Sequence, residues 1–452
     1  LSTIVLRIIK AMAPFSIALA VFLEALDLYG VVIILPNIVQ DFEMSYFASK
    51  SIIITYICGV FIMIPLMPWI SSIWDTKASL LTGIFLFGTA SAACFLSESL
   101  EALLISRFTQ GLSAGMMGMS ARAFLAQITP TEKLPKTMGY VAFPAMIAPA
   151  IGAILAGILA DTLGWRFFFL ISIPLAIVVF LILFKDTHKA QLSSTSKLDL
   201  KGSCLIVAAL ILATISLDET NTTAWGIRAL SVSASLLCGI LYWLHAKRKG
   251  TDCAIPLSFF SNTHFRNIFL GSLFLRIGVS GVPLFISLTF NYFYHTASVA
   301  PGIIIAMLSL GMTTMRPFSG KIHQKAGHKN ILCYTVLITL IGMLLLGGFL
   351  SIDAYYSAAV VMFILGSTLS VAYNSIHSAV YEASPIEDAM RVTSLMALTQ
   401  QLPIALGVLI ITSLISILFN YGIYTTCLIV SLITGGITSL AAIPFTKLQN
   451  ES

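Results

Sequence analysis

Glu24 and Asp27 are the residues of this chain best placed to do chemistry, because both lie deep in an apolar run from about residue 11 to residue 39. A carboxylate near the middle of a segment long enough to cross a bilayer is costly and needs a role. Their spacing of three sets both on one helical face, where they can share a proton, a cation or an arginine partner. Proton-linked transport is the first chemistry this pattern suggests. For Asp27 the competing reading is a permanently paired structural ion, and Glu24 fits either role.

Four arginines, Arg107, Arg122, Arg276 and Arg316, also fall inside apolar runs. Arg122 and Arg316 lie close enough to the ends of their runs for the guanidinium to snorkel to the interface. Arg107 can serve as the electrostatic partner of the two acids or as an anchor to helix carbonyls. Arg276 sits near the middle of its run, where a charge costs about 3 kcal/mol on insertion scales, so it should face a partner or a water-filled cavity. Guanidinium forks bind carboxylates bidentately, so a cavity holding Arg276 should favour solutes with anionic groups. The alternative is an internal ion pair with Glu24 or Asp27. Asn291, Tyr292, Tyr373, Asn374, His377, Gln400 and Gln401 are further candidates to contact a solute, with helix packing as the other reading of each.

The elements that must position these side chains are apolar helices. Of 452 residues, 58% are hydrophobic and 10% charged, against about a quarter charged in soluble domains. Continuous apolar runs of about 20 residues recur between short polar connectors, unlike the short alternating segments of a membrane β-barrel. The runs group as six, two and six. The expected organisation is a six-helix bundle over residues 1–190, a linker with two extra spans over 191–261, and a second six-helix bundle over 262–452. The first run is too long for a cleavable signal peptide and continues into a span, so it should be retained. Of the 25 Lys and Arg, only Lys50, Arg166 and Arg228 fall in connectors on one side, which places both termini in the cytoplasm by the positive-inside rule. The net charge of +6 therefore reflects membrane orientation rather than nucleic-acid binding.

Enzymatic alternatives find little support. Gly111 to Gly115, GLSAG, fits the nucleophile pattern G-x-S-x-G, but that pattern needs a strand-turn-helix context and here lies inside a continuous apolar run. There is no phosphate-binding P-loop, no H-E-x-x-H and no dinucleotide fingerprint, so energy for transport should come from an ion gradient. The seven cysteines are scattered and form no disulfide framework or metal-ligand spacing. No cofactor is expected.

Several stretches carry a family resemblance. LDLYGVVIILP, with Asp27 and Pro36, resembles the first-span signature of the fourteen-span drug:proton antiporter branch of the major facilitator superfamily. LLISRFTQGLSAG resembles the superfamily's fourth-span motif, with Arg107, Gln110 and Gly111 at its defining positions. Gly164-Trp165-Arg166-Phe167, LDLKG and SLMALTQQLPIALG are similar to further stretches of the branch. The gating loop after the second span retains only Lys77, whereas RPFSGKIHQKAGHKN keeps Gly320, Gly327 and its basic residues. The fifth-span glycine series reads Gly139, Ala148, Gly152, Ala153, Ala156 and Gly157, with Pro149 nearby but without the motif's own proline. Small residues there still allow close helix packing.

The resemblance implies an all-α polytopic membrane protein of the major facilitator fold, two six-helix bundles plus two inserted helices, alternating access about a midplane site. The expected function is proton-coupled secondary transport, most simply export, of a small organic or amphipathic solute. Asp27, Glu24 and Arg107 would handle the proton, and Arg276 and Arg122 would contact the solute. An importer of an anionic metabolite or siderophore on the same scaffold, and a transport-inactive sensor, remain the alternatives. The expected setting is the bacterial inner membrane, with lipids, solute and protons as partners, and a periplasmic adaptor if the chain belongs to an efflux assembly.

Overall fold

A computed structural model describes residues 2–44, 49–129, 134–186, 188, 198–216, 225–250, 253–254, 257–294, 299–382, 389–418 and 421–448. Every regular element among them is helical. An intrachain helix satisfies its own N–H and C=O groups, the condition that hydrocarbon imposes on any spanning segment. The chain forms two compact units, one built by α1 to α6 and the other by α7 to α15.

The first unit contains α1 (Ser2–Asp41), α2 (Lys50–Ile73), α3 (Thr76–Phe95), α4 (Leu100–Ile128), α5 (Leu134–Thr162) and α6 (Arg166–Lys185). Within it α1 packs on α4, α5 and α6, and α3 packs on α4 and α6. Polar side chains fasten its helix ends. Arg166 at the start of α6 pairs with Asp41 at the end of α1 (2.6 Å) and donates to the Ser97 carbonyl beyond α3 (3.1 Å). Trp165 Nε1 donates to the same Asp41 carboxylate (3.2 Å), and its ring lies under the Arg166 guanidinium. The GWRF stretch is thus a three-helix tie. At the opposite end of α6, Lys77 of α3 donates to the Asp186 carbonyl. Asp75 caps α3, accepting from the Ala78 N–H at 2.6 Å. The residues left in the altered loop after the second span therefore cap one helix and tie it to another.

The second unit contains α7 (Leu200–Ser216), α8 (Trp225–Lys249), α9 (Thr263–Ser280), α10 (Val282–Thr289), α11 (Val299–Ser351), α12 (Tyr355–Glu382), α13 (Ala389–Leu418), α14 (Ile423–Ser439) and α15 (Ala442–Thr446). The span that carries Arg276 is irregular at one residue, Gly281, whose backbone stays right-handed helical (φ −82°, ψ −12°). It runs through α9 and α10 and ends in a π-helical turn, Phe290–Tyr294. Ser280 Oγ donates to the Pro403 carbonyl of α13 at 2.5 Å and pins this point to its neighbour. In α11, Gly327 adopts φ 69° and ψ 162°, so the 53-residue stretch is two helices joined at a point that only glycine occupies without strain. Gly320 lies seven residues earlier on the same element, with open space beside it.

Twelve helices among the described residues are long and apolar enough to cross a membrane. Two of the fourteen expected spans stand apart from these. The first is α4, whose polar residues include Glu101, Arg107, Gln110 and Arg122. The second is the apolar stretch Leu200–Thr214 of α7, after which residues 217–224 lie outside the described part. The protein is a polytopic, all-α integral membrane protein.

Asp199, in the LDLKG stretch, holds the inserted pair α7–α8 to the chain that follows. Its carboxylate accepts from the backbone N–H groups of Gly202 (3.2 Å) and Ala254 (2.9 Å), and meets His245 Nε2 (2.8 Å) and Lys249 Nζ (2.9 Å). Burial pushes this carboxyl up, but the donors of Lys249, Ala254, His245 and Gly202 outweigh it and hold the group at about 2. An unfolded aspartate titrates near 3.8, so the clamp's stabilisation is complete above that value and lost as pH falls through about 2. Asp199→Ala should cost about 1–3 kcal/mol in unfolding of the detergent-solubilised protein near neutral pH. That difference from wild type should shrink below pH 4, and one that stayed constant down to acid pH would refute the clamp.

Candidate functional site

The acids of α1 face α4. Asp27 is fully buried, and its Oδ2 accepts from Arg107 Nη1 at 2.6 Å. Its Oδ1 accepts from Gln110 Nε2 at 2.9 Å. Gln110 sits one turn beyond Arg107, accepts from the same Nη1 through Oε1 (2.6 Å) and donates to Ser91 Oγ of α3 (2.9 Å). Ser91 in turn donates to the Phe87 carbonyl at 2.8 Å. Three helices thus share one buried polar chain. The Arg107 guanidinium lies over the Tyr56 ring at 4.5 Å and within 5.8 Å of Phe169. Arg107 Nε and Nη2 find no hydrogen-bond partner among the described residues, and neither does the Tyr56 hydroxyl.

The close approach of helices makes this possible. A Cβ at Gly111 would lie 1.9 Å from the Tyr56 carbonyl oxygen, so only glycine lets α2 and α4 approach this closely beside the ion pair. A Cβ at Gly152 of α5 would lie 2.6 Å from the Leu26 carbonyl, next to Asp27 itself. Gly152 and Gly157 are buried on α5, and Gly139 and Pro149 lie on the same helix. Small residues in the fifth span therefore act by bringing α5 onto the site helix.

Glu24 lies one turn from Asp27 and is half-buried. Its carboxylate rests against Gly118 of α4, where a Cβ would come within 2.5 Å of Oε2. Arg122, one turn beyond Gly118, is within electrostatic reach of it. The order of contacts, Asp27 with Arg107 and Glu24 with Gly118, means that α1 and α4 run antiparallel here. Among the described residues no hydrogen bond or ion pair reaches the Glu24 carboxylate, and Arg122 Nε has no hydrogen-bond partner.

In the second unit, Arg276 of α9 stacks over the Tyr373 ring of α12 at 3.9 Å, with its Nε donating to Ser272 Oγ at 3.3 Å. Asn374 and His377 follow on α12 and are half-buried. Gln400 and Gln401 lie on α13, and Gln401 Oε1 is buried with no partner among the described residues. Asn291 falls in the π-helical turn; the Tyr292 side chain lies outside the described residues.

Residues 17–408 match the model of the Major Facilitator Superfamily. The chain belongs to that superfamily. It is 26% identical over 400 residues to a putative multidrug resistance protein MdtD of Citrobacter koseri, covering 87% of this chain and 84% of that one. The MdtD of Shigella sonnei is 27% identical over 401 residues, with the same coverage. Solved structures with the same fold include a POT family transporter in complex with 5-aminolevulinic acid (TM-score 0.72, 15% identity, 97% and 96% coverage). Another is the POT family transporter PepTSo (TM-score 0.70, 14% identity, 96% and 97% coverage). Membership of that superfamily makes the protein a membrane transporter rather than an enzyme.

The ion pair carries a stability consequence. Removing one partner of a buried pair leaves an uncompensated charge, typically costing about 3–5 kcal/mol. Arg107→Gln alone should sharply lower the thermal stability of the detergent-solubilised protein. Asp27→Asn combined with Arg107→Gln should recover most of it, and a double variant no more stable than the worse single one would refute the coupling.

Proposed function

We propose that this protein is a proton-coupled exporter of a small organic or amphipathic solute, working by alternating access. Its place is the bacterial inner membrane, with both termini in the cytoplasm. The observation that carries this reading is a pair of carboxylates in the middle of α1, each set against α4, one of them in a fully buried ion pair. Ionisable groups at that depth mark proton or substrate pathways by default, and the absence of a nucleotide-binding motif from the sequence leaves an ion gradient as the energy source. The naming of the relatives as putative multidrug resistance proteins favours export of an amphipathic solute over uptake.

A second reading, import of an anionic metabolite, rests on Arg276. Its guanidinium is half-buried at mid-span and stacked on Tyr373, and ionisable groups at that depth commonly mark solute pathways. Arg276, Tyr373, Asn374 and His377 would then contact an anionic solute.

Reconstitution into liposomes with an imposed pH gradient separates these readings. Ethidium serves as the cationic amphipathic probe and carboxyfluorescein as the anionic one. Exchange of ethidium for protons, abolished by an uncoupler and reduced at least tenfold in Asp27→Asn, is the expected result. Uptake of carboxyfluorescein with protons, lost in Arg276→Ala, would favour the importer. Ethidium or carboxyfluorescein movement by wild type that is indifferent to the pH gradient and to the uncoupler would sink the proton-coupled mechanism.

A further inference from the structure

The two acids of α1 have very different surroundings, and the difference assigns them different work. Asp27 has both carboxylate oxygens engaged, one by Arg107 and one by Gln110, at 0% exposure. Gln110 is itself fixed by Arg107 and Ser91, so it cannot turn to follow a protonated acid without breaking further bonds. Protonating Asp27 would also strand a guanidinium that is fully buried and has two nitrogens already lacking partners among the described residues. An ion pair of this kind resists losing either charge.

Glu24 has none of these restraints. No described residue donates a hydrogen bond to it, and Arg122 acts on it only at a distance. Its carboxylate occupies the space left by the missing side chain of Gly118 and is partly accessible. Tyr56 of α2 is also within electrostatic reach of it, and Asp27 lies one turn away on its own helix. Among the described side chains of α5 and α6, which also pack on α1, ionisable groups stand only near the helix ends, at Asp161, Arg166 and Lys185.

We propose that the two carboxylates divide the labour: Glu24 takes up and releases the transported proton, while Asp27 stays ionised as the fixed anion that holds Arg107. This rests on the proton-coupled reading above and names the residue that does the coupling. In the step, a hydronium ion gives one proton to a Glu24 oxygen and remains as water, the negative charge opposite Arg122 disappears, and the Asp27–Arg107 pair is unchanged. On the other side of the membrane the carboxyl returns the proton to water as hydronium. Gly118 is a positioning residue, because it keeps the carboxylate seated against α4.

Infrared difference spectroscopy tests the assignment without a solute. The full-length protein in detergent is taken between about pH 8 and pH 5, a range over which exposed carboxylates stay largely ionised. A protonated-carboxyl C=O band should grow in wild type and be missing in Glu24→Gln. It should persist in Asp27→Asn or, if that variant does not fold, in Asp27→Asn combined with Arg107→Gln. Gly118→Ala keeps the carboxylate and displaces only the end of a flexible side chain, so the protein should fold and show the band with a shifted titration midpoint. A band that survives Glu24→Gln but disappears when Asp27 is replaced overturns the proposal, and so does its absence from wild type. Liposomes measured in parallel keep the two failures apart. Wild type that moves no protons with ethidium or carboxyfluorescein contradicts the transport reading, whereas wild-type coupling that persists in Glu24→Gln contradicts this assignment alone.

Discussion

A charge held in hydrocarbon must be neutralised where it stands, and the pairing of Arg107 with Asp27 governs much of the first unit's construction. A 2.6 Å contact between side chains of two helices, both excluded from solvent, requires those helices to approach closely and stay in register. Gly118 leaves room on α4 for the side chain of Glu24 of α1, while Gly111 and Gly152 bring the flanking helices close, α2 onto α4 and α5 onto α1. The Tyr56 and Phe169 rings cover the guanidinium and present π-faces to it, so the cation is shielded by groups that also attract it. Gln110 completes the chain by bringing in α3 through Ser91. The polar content that makes α4 less apolar than a simple span is the same content that builds this network.

Elsewhere the strong polar contacts gather at helix ends. Asp41 with Arg166, Lys77 with the Asp186 carbonyl, and Asp199 with His245 and Lys249 each bind segments distant in sequence. Such fastenings hold helices together as bodies while leaving their middles to apolar packing. The alternating access proposed above would use that distribution, because units that move as wholes need rigid internal ties.

Much of this was legible in the sequence because hydrocarbon is a severe constraint. Run length gave the helices, and the cost of mid-span charge singled out Glu24, Asp27, Arg107 and Arg276. The fourth-span motif pointed to Gln110 and Gly111, though only the three-dimensional arrangement explains why an amide must sit one turn from the arginine. Ser91, Tyr56 and Gly118 carried no such signal. A serine, a tyrosine or a glycine in an apolar helix is ordinary, and its role depends on which helix crosses at that height. The irregularity at Gly281 and the π-helical turn at the end of the span were likewise hidden, since α9 and α10 read as one continuous apolar run. The inequality between Glu24 and Asp27 could not be read from a spacing of three, which places them on one face but does not say that α4 offers a guanidinium to one and a bare backbone to the other.

Under the proposed proton-coupled mechanism, that inequality ties the sign of the solute to the direction of coupling. With both acids ionised, Glu24, Asp27, Arg107 and Arg122 together carry no net charge; with one acid protonated they carry a single positive charge. A cationic solute then meets a favourable environment only while the carboxylate is free, so cation and proton exclude one another and must exchange. An anionic solute meets the opposite situation, since protonation creates the positive charge that attracts it, and the two would travel together. Export by exchange and import by co-transport are thus two uses of one electrostatic arrangement. The solute's charge, rather than any difference in the scaffold, selects between them.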